Sequence, residues 1–119
     1  MKDIGLTPHE IDLIREVFRR FLTISEVTLY GSRAKGTYRP ESDIDLALIG
    51  IDSDVQAEAV ADELEELPLP YRFDVKAYSN ITYPPLREHI ARVGVSLYRR
   101  DSSDKDTAAT KPITAPNIT

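Results

Sequence analysis

Residues 29–48 read LYGSRAKGTYRPESDIDLAL, a Gly-Ser turn followed by two aspartates at i, i+2 spacing, and this stretch decides the fold. The run from Glu26 to Tyr30 that leads into it is β-branched and aromatic and stops at Gly31, as a buried strand bounded by a turn does. Gly36 and Pro40 interrupt regular structure between Lys35 and Ser42, so a second strand is expected from Asp43 to Ile49. Alternation along that strand puts Asp43 and Asp45 on one face, with Ile44 and Leu46 on the other.

A strand that ends in Gly-Ser and enters a short helical turn leaves backbone N–H groups pointing outward, an arrangement that binds anions. Gly31 lets the backbone approach an oxyanion with no Cβ in the way, and Ser32 is placed to donate to a phosphate oxygen and to cap the turn. Arg33 and Lys35 add mobile positive charge, Arg33 with the planar fork that pairs with phosphate. Asp43 and Asp45 offer hard oxygen ligands, for which magnesium is the fitting ion. A calcium loop of the EF-hand kind fails, because Ala47 and Leu48 stand where further ligands and a glycine are needed. The two halves together read as a nucleoside triphosphate site.

Upstream, Thr7-Pro8-His9-Glu10 has the form of a capping box, and apolar residues recur at Ile11, Ile14, Phe18 and Phe21 on one side of the helix it starts. The other side carries Asp12, Arg15, Glu16, Arg19 and Arg20 and is read as solvated, with an acidic partner as the alternative. Downstream, Ser53 and Gln56 open a second helix with an apolar stripe of Ala57, Val60, Ala61, Leu64 and Leu67 and an acidic remainder. Tyr71 to Tyr78 alternates as a third strand with Asp74 and Lys76 on its polar face. Asp74 becomes a third carboxylate of the site if this strand lies beside the second. Pro84 and Pro85 precede a helix closed by Gly94, and Val95 to Tyr98 is a short last strand. His9 and His89 stand alone on helices and are read as surface or packing residues. Residues 101–119 are rich in Ser, Thr, Asp, Ala and Pro without a period and read as a disordered tail, leaving residues 1–100 as the domain.

A chain of 119 residues has room for one domain and none for a separate substrate-binding domain, so a large substrate is met by this small surface or brought by a partner. Hydrophobic content of 41% with 29% charged residues is ordinary for a soluble globule. The absence of cysteine excludes disulfides and thiolate metal sites. A net charge of -5 argues against general adhesion to nucleic acid, which draws on many phosphate-neutralising contacts. No apolar run approaches the roughly 20 residues of a membrane span, and a cytoplasmic location is expected.

Gly31-Ser32-Arg33-Ala34-Lys35-Gly36 followed by Ser42-Asp43-Ile44-Asp45-Leu46 resembles the paired motifs of the minimal nucleotidyltransferases of the DNA polymerase beta superfamily, over about Thr7 to Arg100. The resemblance implies an α+β fold, a twisted mixed sheet with helices packed mainly on one face. It also implies that Asp43 and Asp45 bind two magnesium ions and that Asp74 completes the catalytic, metal-binding carboxylates and assists an attacking hydroxyl. Gly31 and Ser32, with Arg33 beside them, would bind the triphosphate of ATP. Lys35 stands where many members carry arginine, which keeps the charge and loses the fork.

Chains of this size are similar to the antitoxin half of HEPN and minimal-nucleotidyltransferase toxin–antitoxin pairs, in which AMP passes from ATP to a tyrosine of the HEPN ribonuclease. That likeness implies a hetero-oligomer with a HEPN toxin, which would present the hydroxyl this small chain has no domain to bind. Two alternatives stand beside it: an antitoxin that works by binding alone, and a small-molecule nucleotidyltransferase completed by a helical partner subunit.

Overall fold

The capping box forms in the computed structural model, which describes residues 3–100: Thr7 Oγ1 accepts from the Glu10 N–H at 3.1 Å, and Glu10 Oε1 accepts from the Thr7 N–H at 2.9 Å. Helix α1 (Pro8–Arg19) follows, with Ile11, Ile14, Val17 and Phe18 buried as the period requires. The chain continues through β1 (Glu26–Tyr30), the short helix α2 (Gly31–Lys35), β2 (Ile44–Ile49) and α3 (Asp54–Glu65). It then forms β3 (Phe73–Ala77), a single 3-10 turn at Tyr78–Asn80, α4 (Pro84–Val93) and β4 (Val95–Arg99). The third strand is shorter than its alternation suggests, because Tyr71 and Arg72 precede the ladder and Tyr78 opens the turn. The expected tail at 101–119 lies outside the described residues.

The four strands make one mixed sheet in the order β3-β2-β1-β4. Both neighbours of β1 are antiparallel to it, whereas β2 and β3 are parallel and joined by the α3 crossover that such a pair needs. Strand β2 is thus paired on both edges and covered on both faces, which explains its nearly unbroken apolar sequence after Asp45. In the register, Tyr30 is the Cα partner of Asp45, and Asp45 is the partner of Asp74. Partners share a face, so these three side chains form one row across three strands.

The sheet separates two apolar layers. Helices α1 and α3 cover the face of Leu29, Ile44, Leu46 and Leu48, and this layer holds most of the core. The opposite face carries the Tyr30, Asp45, Asp74 row and a smaller cluster of Tyr30, Ala47, Ile81 and Ile90 beneath α4. Two of the three long helices therefore lie on one face, and α4 helps to wall the other. Arg20 of the charged α1 face meets Glu63 of α3 at 3.3 Å, an exposed pair worth under about 1 kcal/mol. Among the described residues no helix is long and apolar enough to cross a membrane.

A groove of about 550 Å³ lies by the opposite end of β1 from Gly31, lined by Arg15, Arg19, Arg99 and Arg100 among others. Its arginines serve the fold. Arg15 Nε donates to Leu97 O at 2.8 Å, Arg100 donates to Ile24 O and Phe21 O at 3.1 Å each, and Arg99 pairs with Glu26 at 3.2 Å. These contacts pin β4 to its neighbours.

Leu46 is fully buried in the main layer, so Leu46→Ala should lower unfolding stability in urea by about 3 kcal/mol. Leu22→Ala, at a position 78% exposed, should stay within about 0.5 kcal/mol of the parent chain.

Candidate active site

Strand β1 hands the chain directly to α2 at Gly31, whose φ of +78° suits glycine best. A second constraint acts at the same atom, because any Cβ on Gly31 would run into Oδ2 of Asp45. The turn and the aspartate strand are therefore in direct contact, as the two halves of one site must be. Helix α2 has Tyr30 at its N-cap position with no side-chain cap. Ser32 lies inside the helix and does not perform the capping expected of it. Its carbonyl instead accepts from the Gly36 and Thr37 N–H groups at 2.9 and 3.0 Å, closing the helix.

Asp43 is exposed just before β2, and Asp45 is partly buried in the row beside Asp74. Burial together with the charges of Asp74 and Asp43 pushes the Asp45 carboxyl up to about 6, against a pull from Lys76. Asp43 and Asp74 are thus close enough to be felt at Asp45. Asp74 presents both carboxylate oxygens to Lys76 Nζ, each at 2.9 Å. Burial weakens the Lys76 ammonium, but the bond to Asp74 and the proximity of Tyr30 and Asp45 outweigh it and raise its affinity for the proton. At the other end of the row, the Tyr30 hydroxyl is buried with no hydrogen-bond partner among the described residues. Burial raises its pKa against a pull from the nearby Lys76 ammonium, and Asp74 and Asp45 raise it further.

The register brings together Gly31, Asp45 and Asp74, with Asp43 beside them. Arg33 is not part of that group. The expectation of a mobile, phosphate-binding guanidinium is corrected by its burial, at 1% exposure, behind α2. Its Nε and Nη2 donate to Ser42 O at 3.2 and 3.0 Å, Nη2 to Pro40 O at 3.2 Å, and Nη1 to Ile4 O and Gly5 O at 3.1 and 3.3 Å. The Tyr38 and Tyr71 rings lie 5.3 and 4.9 Å from it. Arg33 therefore staples the N-terminal segment to the loop that delivers Asp43. Lys35 is exposed, as a mobile charge should be.

Two residues near the site were not assigned a role by sequence. His89 on α4 accepts the Gly31 N–H through Nε2 at 3.1 Å, satisfying the first orphan donor of α2, and its ring meets Tyr30 edge-on at 6.3 Å. The surface or packing role read for it is therefore incomplete, and a contact across 58 positions leaves no local signal. Lys76 did leave a signal: alternation alone puts it on the face of Asp74.

All-carboxylate donors suit a hard divalent ion such as magnesium, and Asp74 takes the Lys76 ammonium on both of its oxygens. Among the described residues no three His, Asp or Glu side chains are gathered at metal-binding spacing. Asp74 is turned to Lys76 while Asp45 lies against Gly31.

A Gly-Ser turn touching an aspartate strand, in a mixed sheet of this order, defines a nucleotidyltransferase. The family model described as polymerase beta, nucleotidyltransferase matches residues 12–103, and the chain belongs to that family. No curated protein sequence matches the chain. Among solved structures, a toxin–antitoxin complex with AMP-PNP aligns with a TM-score of 0.61 at 21% identity, over 80% of this chain and 77% of that one. A complex described as tri-AMPylated Shewanella oneidensis HEPN toxin with MNT antitoxin aligns with a TM-score of 0.57 at 18% identity, over 82% and 76%. These likenesses establish the fold.

Arg33→Lys keeps the charge but cannot reach four carbonyls, and should lower stability by about 2 kcal/mol in urea, against no change for Lys35→Ala. For Asp45 the sign follows from proton counts. An ordinary carboxyl is charged above about pH 4, whereas folded Asp45 holds its proton up to about 6. The folded chain therefore binds more protons across that window and loses stability as pH rises through it. Asp45→Asn should stabilise by about 1 kcal/mol at pH 7.5, a value reduced for solvent screening, and the gain should vanish near pH 4 in pH-dependent melts.

Proposed function

We propose that this chain is the antitoxin of a HEPN toxin–antitoxin pair and that it transfers AMP from ATP to a tyrosine hydroxyl of the toxin. The observation that carries the reading is the register: Asp45 is the cross-strand partner of Asp74, and its carboxylate touches Gly31 of the anion-binding turn. Two structures of similar fold support the choice of substrates, one described with AMP-PNP and one with an AMPylated HEPN toxin. In this reading a docked partner protein brings the hydroxyl to the site.

In this reading the outward N–H groups of α2 and the Ser32 hydroxyl hold the triphosphate beside the carboxylates. Asp43, Asp45 and Asp74 are the residues that would hold magnesium, which when bound neutralises phosphate charge and favours the ionised hydroxyl. The toxin hydroxyl, placed by docking, forms a bond to the α-phosphorus as the bond to the β-phosphate oxygen breaks. Pyrophosphate leaves, and the hydroxyl proton passes to Asp74. Arg33 holds the Asp43 loop in place from behind, and His89 holds the head of α2. The reaction would run in the cytoplasm, where ATP and toxin meet.

A second reading, neutralisation by binding alone, has one observation in its favour: Asp74 is engaged by Lys76 and not gathered with the other carboxylates. Incubation of the chain with α-labelled ATP, magnesium and a co-encoded HEPN protein separates the two. Transfer of label to the toxin, lowered at least about 100-fold by Asp43→Asn, is the expected result. Absence of transfer, together with toxin relief that survives Asp45→Asn and Asp74→Asn in cells, would establish the binding mode instead.

A further inference from the structure

Lys76 belongs to neither motif of the site, yet it stands on the carboxylate face of the edge strand β3, two residues from Asp74 and level with Ala47 of β2. Nζ sits 2.9 Å from both Asp74 oxygens, and the groups around it are Asp45 and the buried, unpartnered Tyr30 hydroxyl. The side chains of Lys76 and Asp74 remain 44% and 47% exposed. Such a pair is weakly held and readily exchanged for a stronger cation.

Resting on the reading that Asp43, Asp45 and Asp74 take divalent cations, we propose that Lys76 is a built-in competitor for Asp74, which it holds until a divalent ion displaces it. The ammonium carries one charge and is bound by one carboxylate. A dication shared by two or three carboxylates gains more than the ammonium loses, and the flexible stem lets Lys76 swing away without moving the backbone. Lys76 thereby sets the ion concentration at which the three carboxylates converge, and it spares the site the full like-charge repulsion below that concentration.

Manganese is a suitable probe because its free ion is counted directly by electron paramagnetic resonance, with no nucleotide or toxin present. Titration of the full chain should show Lys76→Met binding manganese about tenfold tighter than the parent, the scale of one competing unit charge removed at contact distance. Lys76→Arg, which keeps the charge, should bind no tighter than the parent. Metal-free Lys76→Met should also melt lower, and saturating manganese should erase the difference. Should the methionine variant not fold, Lys76→Gln, which keeps a polar head, is measured in its place with the same expectation. Parental affinity in Lys76→Met, with affinity lost in Asp45→Asn, overturns the role of Lys76 and leaves the cation site standing. No manganese binding by either the parent or Lys76→Met overturns both.

Discussion

Two carboxylates held side by side by a parallel strand pair repel one another, and the rest of this structure is arranged around that repulsion. The register that pairs Asp45 with Asp74 leaves neither strand free to slide, since a one-residue slip of either would turn its own charge into the apolar layer beneath α1 and α3. The fold answers with an ammonium on Asp74, a partly screened Asp45, and a glycine where a Cβ would close the remaining space. On the proposed reading, that repulsion would turn to attraction with a cation between the carboxylates.

The support for this arrangement comes from behind. Arg33 directs its donors to backbone carbonyls from two segments, with the Tyr38 and Tyr71 rings beside it. Tyr71 also donates to Glu10 Oε2 at 3.0 Å, so the capping box of α1, the ring beside Arg33 and the Asp43 loop form one connected unit. The Glu10 carboxyl is correspondingly lowered, first by the Thr7 N–H and then by Tyr71. A helix-start signal near the N-terminus thus contributes to the position of an aspartate far along the chain.

Much of this was legible in the sequence because it rests on local rules. The strand that stops at Gly31, the place of Asp45 on the face opposite Ile44 and Leu46, and the position of Asp74 on the polar face of β3 follow from period and turn chemistry, whereas β2 begins at Ile44 and leaves Asp43 before it. The pairing of β2 with β3 was an inference from the need for a third carboxylate, and the register bears it out. Arg33 reads from sequence as a phosphate ligand because its actual partners are main-chain carbonyls, which carry no signature in a sequence. His89 reads as a surface or packing residue, since the donor it satisfies lies on an element far away in the chain. Lys76 was placed on the right face, but its hold on both Asp74 oxygens is a matter of packing that alternation does not encode.

Several contacts that hold the site and its frame join distant parts of the chain. Gly31 meets His89 across 58 positions, Arg33 meets Ile4 across 29, and Arg15 anchors the last strand across 82. Contacts of such separation form late, after the loops between them have closed. The turn without α4 lacks the His89 acceptor, and β2 without β3 lacks Asp74, so the whole arrangement exists only in the native topology. On the proposed reading, nucleotide capture would report completed folding.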